Sequence, residues 1–309
     1  MYTLLLRNLL VLQWLVNTVL ADDGSKTSAS LNDNTHTLVK IGGSSITDKA
    51  RREALNQSAL HWFAQSLTSS RHRHHNRTFV VVHGAGSFGH HTANEYGLGS
   101  NGVAMSARVG QGLAATRLSV QTLNRHVVQT LLASGIPAVG ISPCFGGVHG
   151  ESWGLLERIV KDTVASGLVP VLHGDACLSP DNQRAVILGG DALMEHFGIL
   201  DWTSRAIFIT DVDGIFTADP RHDESAELVR SIEIDAHGQL LQSTVTIKAT
   251  GSSHAHDVTG GLEAKLAAAV TIAKSGTEVV IVKCGSRSAE AVLSGSTDYE
   301  FGTEVKLSA

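Results

Sequence analysis

The chain has 309 residues, 42% hydrophobic and 17% charged, with 24 Lys and Arg against 29 Asp and Glu, a formal net charge of −5. This composition excludes global disorder and allows one large α/β domain or two lobes with ample core. It also excludes a nucleic-acid binder working through bulk positive charge, so a bound polyanion must meet local Lys or Arg.

The first 21 residues combine an early Arg, an apolar run and a small-residue end at Val19-Leu20-Ala21, the pattern of a signal peptide. Arg7, Asn8, Gln13 and Asn17 interrupt the run, so no stable membrane span is expected. Asp22 to His36, rich in Ser, Thr, Asn and Asp, reads as a linker. Residues 1–35 are therefore an extension, and residues 36–309 the folded domain.

Thr37 to Gly43, TLVKIGG, reads as a strand ending in a glycine turn. Residues 52–67 place Leu55, Ala59, Leu60, Phe63 and Leu67 at helical spacing. Arg71 to Arg77, RHRHHNR, reads as a solvated loop, because no acid or Cys joins its histidines as metal ligands. A second strand, Thr78 to Val82, runs into a glycine loop, Gly84 to Gly89. Residues 110–135 form a long helix on Leu113, Val120, Leu123, Val127 and Leu131, stopped by Gly135. A strand over 136–142 and a helix over 155–167, closed by Gly167, follow. Residues 168–175, LVPVLHGD, read as a strand entering a Gly-Asp turn. Residues 185–201 read as strand or turn and then helix, and 206–216 as a buried strand with a turn at Asp211 to Gly214. A helix over 260–276 and a strand over 278–285 complete the pattern. Continuous apolar strands alternating with helices imply a mainly parallel sheet covered on both faces. Ligands of such sheets bind at the carboxyl ends of the strands.

Cys144, Cys177 and Cys284 are far apart, odd in number and without C-x-x-C, so neither a disulfide framework nor a zinc site is expected, and a reducing compartment fits. Asn56-Gln57-Ser58 and Asn76-Arg77-Thr78 are formal glycosylation sequons.

Gly84-Ala85-Gly86-Ser87-Phe88-Gly89 has the G-x-G-x-x-G form of a dinucleotide loop. That reading requires the first strand and an acid about 20 residues on. Here a strand and a helix come first, and residues 104–110 contain no acid. The loop instead joins a set of glycine turns, at Gly42-Gly43, Gly84-Gly86, Gly189-Gly190-Asp191 and Gly260-Gly261, with Lys40, Lys49 and Lys265 beside them. Glycine turns bring backbone N–H groups close to phosphate oxygens, and lysines neutralise them. That is the inventory of phosphoryl transfer. No G-x-x-x-x-G-K-[ST], H-R-D or D-F-G occurs, which excludes a Walker-type site and a protein kinase.

The ordered segments LVKIGGSSITDK, VVHGAGSFGHHTANEYG, LHGD, LGGDAL, TDVDGIFTADP and DVTGGLEAK resemble the amino acid kinase superfamily. Within it, GSFGH and DVTGG…K are similar to isopentenyl phosphate kinases, over about Thr37 to Lys306. The resemblance implies a three-layer αβα sandwich, usually a cytoplasmic homodimer. The implied reaction is ATP- and Mg²⁺-dependent phosphorylation of isopentenyl or dimethylallyl phosphate for isoprenoid synthesis. Residues 36–200 would hold the acceptor and 201–309 ATP.

By the same resemblance Lys40, His90, Asp175 and Lys265 are catalytic, with Asp175 orienting the lysines and His90 contacting the acceptor phosphate. Gly84, Ala85, Gly86 and Gly174 would meet that phosphate too. The nucleotide would meet Lys40, Ile41, Gly42, Gly43, Ser44, Lys49, Gly86, Asp211, Asp213, Gly214, Phe216, Gly260, Gly261 and Lys265, with the Asp219-Pro220 turn nearby. No Mg²⁺ ligand is identified; phosphates and water would hold the metal. His91 stands where the family commonly has proline. Ala85 replaces the middle glycine of H-G-G-G, and its N–H can still serve if its φ is negative. The isoprenoid pocket is expected along the helix from Leu113 and around Ile141. Other readings remain: a UMP or fosfomycin-type kinase, or a non-catalytic binding protein. Each site residue also has a plain structural alternative, such as a strand-end lysine, an Asx-turn aspartate or a capping histidine.

Overall fold

The structure is a computed structural model that describes residues 36–73, 77–144, 151–179, 181, 183–218, 220, 223–239, 241 and 261–308. The N-terminal extension, Asn76 of the second sequon, Asp219 and Gly260 lie outside the described residues.

The strands are β1 (His36–Ile41), β2 (Thr78–His83), β3 (Val103–Ala104), β4 (Ala138–Ile141), β5 (Val169–His173), β6 (Asp175–Leu178), β7 (Arg184–Leu188), β8 (Thr203–Thr210), β9 (Ile215–Phe216), β10 (Leu228–Val229), β11 (Ser231–Ile234), β12 (Glu278–Lys283) and β13 (Thr303–Leu307). The helices are α1 (Gly43–Ile46), α2 (Gln57–Arg73), α3 (Gly86–Tyr96), α4 (Ala107–Ala133), α5 (Glu151–Ala165), α6 (Gly190–Gly198), α7 (Gly261–Lys274) and α8 (Arg287–Leu293). The central sheet runs β11-β13-β12-β8-β1-β2-β5-β4, and only the β12–β13 pairing is antiparallel.

Alternation along each strand divides the core. Leu38, Val80, Val82, Ala206, Phe208, Val279 and Ile281 pack on one face, with Leu156 of α5, Phe197 of α6 and Ile272 of α7. Val39, Ile41, Phe79, Val81, Ile207, Ile209, Val280 and Val282 pack on the other, with Phe63 of α2, Leu123 and Val127 of α4 and Val292 of α8. This is the three-layer αβα architecture with a mainly parallel sheet. The sheet runs unbroken across Leu200, since β1 pairs with both β2 and β8.

Four details differ from the sequence reading. Residues 86–96 are a helix rather than a loop: burial of Phe88, Thr92 and Ala93 outweighs the glycines, and Gly97 ends it at φ 70°. Helix α2 starts at Gln57, not residue 52, because Asn56 Oδ1 accepts from Ala59 N at 3.2 Å, the bond of an N-cap. That side chain also donates to the Ser45 carbonyl at 3.1 Å, so the first sequon serves the fold. The segment after Gly174 is not a turn but β6, the edge of a separate antiparallel sheet β3-β7-β6. Finally, Cys144 and Cys177 form a disulfide, with Cα atoms 5.7 Å apart. Their 33-residue separation hid this; β4 pairs with β5, and β5 runs through Gly174 straight into β6.

Candidate active site

Parallel register brings the carboxyl ends of the strands to one edge: Ile41 lies beside His83 and Ile209, His83 beside His173, and Thr210 beside Lys283. The turns that leave this edge carry the glycines. Gly42 N donates to Ile209 O at 2.8 Å, Gly84 N to Ile41 O at 3.1 Å and Gly174 N to His83 O at 3.1 Å. These three glycines therefore offer a ligand room rather than a donor. The donors come from the helices that start here. Neither α3, beginning at Gly86, nor α6, beginning at Gly190, has a side-chain cap. The first N–H groups of α6 lack partners within the helix and make a positive end suited to anions, whereas in α3 Thr47 Oγ1 takes Ser87 N and Ala85 O takes Phe88 N, which leaves Gly86 N at that end.

The first two turns touch backbone to backbone. A Cβ on Gly43 would stand 2.2 Å from Gly86 N, and one on Gly84 2.6 Å from Gly43 N. Gly86 sits at φ 51°, where a side chain is strained in any case. Thr47 joins the turns: its hydroxyl donates to Gly43 O at 2.7 Å and accepts from Ser87 N at 2.9 Å. Ala85 has φ −71°, so alanine fits where glycine was expected.

Lys40 projects from β1 onto the face of Leu38, opposite Val39 and Ile41. Its ammonium meets Asp191 of α6 at 2.5 Å, with side-chain exposures of 7% and 20%. Gly190 lies against the lysine stem, 3.1 Å from a Cβ placed there to Lys40 Cε. Burial drives the Lys40 pKa down, Asp191 pulls it up and Lys265 of α7 pushes it down, leaving it at about 8. Burial raises Asp191, but Lys40 and Lys265 more than offset this and hold it below the usual carboxylate range. Lys40, Asp191 and Lys265 thus form one electrostatic group at the α6 N-terminus.

Asp191 was not among the expected catalytic residues. Its signal was present, since it follows the Gly189-Gly190 turn, but only the glycines were read. The expected lysine partner, Asp175, engages other groups. It accepts from Ser142 Oγ at 2.9 Å and from Ala176 N at 2.8 Å, and lies 3.5 Å from Arg117. Burial raises its pKa, against His173, Arg117 and these hydrogen bonds. It stands in β6 with no lysine contact among its ion pairs, whereas Lys40 meets Asp191.

Further along the edge, Lys49 meets Asp211 at 3.4 Å and Lys283 meets Asp213 at 3.6 Å, both exposed pairs. Burial raises the Asp211 pKa, but Lys49 and hydrogen bonds bring it below its usual value. Lys283, at the end of β12, carried no motif and was not anticipated. A cleft of about 440 Å³ lies beside these groups, lined in part by Ser44, Trp62, Asp211, Lys283 and Cys284. Burial pushes the Cys284 thiol up to about 11, which disfavours its thiolate. Gly214 is packed rather than open, since a Cβ would stand 2.5 Å from Thr303 Oγ1. Phe216 is half-buried in a short hairpin with Leu228, and Ile41 is fully buried, leaving only its backbone for a ligand.

His90 is half-buried on α3, and Lys265 and Gly261 lie on α7. His91 Nε2 donates to the Lys49 carbonyl at 3.1 Å, which ties α3 to the segment carrying that lysine. Leu113 packs with Ala93, Leu98, Val109, Ala176 and Ala185, whereas Ile141 belongs to the main core, so the two expected pocket walls fall in different clusters. Among the described residues no group of three or more His, Cys, Asp or Glu is placed to hold a metal. No helix among them is long and apolar enough to cross a membrane.

A parallel αβα sandwich with glycine turns, two helix starts without an N-cap side chain and a Lys40–Asp191–Lys265 charge group, its first lysine buried, at one strand edge has the build of a phosphotransferase. The pattern of the amino acid kinase family matches residues 36–283. An isopentenyl phosphate kinase of Arabidopsis thaliana is 39% identical over 70% of this chain and 68% of its own. That of Methanothermobacter thermautotrophicus is 33% identical over 79% of this chain and 90% of its own. The product complex of isopentenyl phosphate kinase from T. acidophilum superposes with a TM-score of 0.70, at 25% identity over 88% of this chain and all of that one. The chain belongs to the amino acid kinase family and, within it, groups with the isopentenyl phosphate kinases.

Proposed function

We propose that the protein transfers the γ-phosphoryl group of ATP to isopentenyl phosphate, and to dimethylallyl phosphate, giving the diphosphate used in isoprenoid synthesis. The observation that carries this is the buried Lys40–Asp191 pair, with Lys265 acting on both, set at the open N-terminus of α6. The relatives' names supply the acceptor. An acceptor phosphate oxygen attacks Pγ. The new P–O bond forms as the bond from Pγ to the β,γ-bridging oxygen breaks, and ADP leaves with that oxygen's charge. No general base is needed, because a monophosphate with a second pKa of about 6 already presents an anionic oxygen.

In this reading Lys40 and Lys265 neutralise charge on the transferring group, and Asp191 aims Lys40. His90 and the α3 N-terminus from Ala85 and Gly86 bind the acceptor phosphate, with Gly84 and Gly174 giving it room. The β1 turn from Ile41 through Gly42, Gly43 and Ser44, with Lys49, Asp211, Asp213, Gly214, Phe216, Gly260 and Gly261, serves the nucleotide. Residues 36–200 would then be the acceptor lobe and 201–309 the ATP lobe. Mg²⁺ would arrive with ATP, held by phosphates and water. When bound it neutralises phosphate charge.

A homodimer belongs to the same proposal; Leu118 and Leu132, 68% and 52% exposed on α4, support it. Sedimentation as a monomer would remove it. The cytoplasmic placement also follows the family, but the Cys144–Cys177 disulfide and the signal-like first residues speak against it. Mass spectrometry decides, since a native chain beginning near Asp22 overturns that placement.

Assays with isopentenyl phosphate, UMP and fosfomycin in parallel test the acceptor. Turnover of isopentenyl phosphate well above the other two is expected, and its absence sinks the proposal. Full activity in a Lys40→Ala, His90→Ala double variant would show that the site lies elsewhere.

A further inference from the structure

His83 and His173 are buried to 0% and 1% exposure beside the glycine turns, and the reaction as read above makes no use of them. They are the last residues of β2 and β5 and are register partners. Their rings stack with centroids 5.6 Å apart and planes 25° from parallel. Each makes the same bond: His83 Nδ1 to Gly84 O at 3.0 Å, and His173 Nδ1 to Gly174 O at 3.0 Å. A carbonyl only accepts, so both rings carry a proton on Nδ1.

The outer nitrogen of His83 is also fixed. Asn124 Nδ2, from α4, donates to His83 Nε2 at 3.1 Å and to Val171 O at 3.1 Å. The Asn124 amide oxygen lies close against Gly140, where a Cβ would stand 2.3 Å from Oδ1. Burial, and then the neighbouring His173, hold the His83 pKa down to about 3. Burial lowers His173 as well. The His83 ring therefore does not change charge near neutral pH.

The geometry of the peptide after Gly84 gives this clamp a use. Among the described residues no peptide bond is cis, and in a trans peptide the carbonyl and the next N–H point in opposite directions. His83 extends the face of Phe79 and Val81, whereas Lys40 extends the face of Leu38, Val80 and Val82. Holding Gly84 O toward His83 therefore turns the Ala85 N–H toward the Lys40 side. Released, that carbonyl would be free to face the anion and repel it.

We propose that His83 and His173 are positioning residues for the acceptor phosphate: a stacked clamp that draws the Gly84 and Gly174 carbonyls away from the anion and aims the Ala85 N–H at it. The proposal rests on the kinase reading above. It separates two amide replacements, since Asn places its N–H near the position of Nδ1 and Gln places it near that of Nε2. His83→Asn is expected to keep the isopentenyl phosphate KM within about threefold. His83→Gln is expected to raise it about tenfold, the weight of one misaimed hydrogen bond to a charged group, with the ATP KM unchanged. The His173 pair should follow the same order. A purely structural role would lower the melting temperature in both variants without separating the two KM values. Equal KM in the Asn and Gln variants overturns the clamp. So does nitrogen-15 NMR of the wild-type histidines, independently of variant folding, if it finds His83 protonated at Nε2. Absence of wild-type turnover with isopentenyl phosphate is a different result: it removes the kinase reading and this assignment with it.

Discussion

Two lysine–aspartate pairs stand at the same sheet edge and differ in nearly everything except composition. Lys40 and Asp191 touch at 2.5 Å with side chains 7% and 20% exposed, whereas Lys49 and Asp211 sit 3.4 Å apart at 64% and 46%. In water such a pair contributes about 0–1 kcal/mol, because screening and side-chain entropy oppose it. Inside, each charge depends on the other, and removing one partner costs about 3–5 kcal/mol. Burial thus makes the first pair a fixed electrostatic element, and exposure leaves the second free to part.

The largest expected effect follows from the buried pair. Asp191→Ala strands an ammonium in the interior, so stability should fall by about 3 kcal/mol. If Asp191 aims Lys40 at the transferring group, kcat/KM should fall on the order of a thousandfold. Thermal melting and steady-state kinetics check both, and a loss under about tenfold would mean that the buried pair matters no more than the exposed one. Next comes the turn contact. Gly86→Ala puts a Cβ at φ 51° and 2.3 Å from Thr47 Oγ1, which should cost at least about 2 kcal/mol and reduce kcat/KM about a hundredfold. Wild-type kinetics there would show that the turns have slack.

A smaller effect concerns protons. In the proposed reaction Lys40 works as a cation, and its pKa of about 8 lies within reach of assay pH. Because the protonated form is the active one, kcat/KM should decline as pH rises through about 8, up to about tenfold per unit. In kcat the decline should begin at higher pH, since bound phosphates hold the proton. A kcat/KM profile flat to pH 10 would place the working cation outside the buried pair. The smallest effect is that of Lys49→Met: an ATP KM raised about threefold, with the melting temperature unchanged. A larger loss of stability would show that the exposed pair resembles the buried one after all.

The sheet was legible in the sequence because each central strand is a continuous apolar run, and burial on both faces permits nothing else. The glycine turns and Lys40 were legible because backbone contact and neutralising charge need particular residue types. Helix α3 was not, since Ser87-Phe88-Gly89 has poor helix propensity and the packing of Phe88, Thr92 and Ala93 decides the matter. Asp191 was overlooked and Asp175 preferred for a related reason. Both follow glycines at strand ends, and the ion-pair partners that separate them come from β1 and α4, distant in sequence. Lys283 and the Cys144–Cys177 bond likewise depend on strand order, which no local pattern carries.

The contact between the Gly43 and Gly84–Gly86 turns has one further consequence. Nothing but main chain separates the loop proposed for the nucleotide from the loop proposed for the acceptor, so the thickness of a peptide unit sets their spacing. That thickness is the same in every protein and does not drift when side chains around it are exchanged. The core can be repacked, and the acceptor pocket reshaped for another tail, while the gap a phosphoryl group must cross stays calibrated by covalent geometry alone.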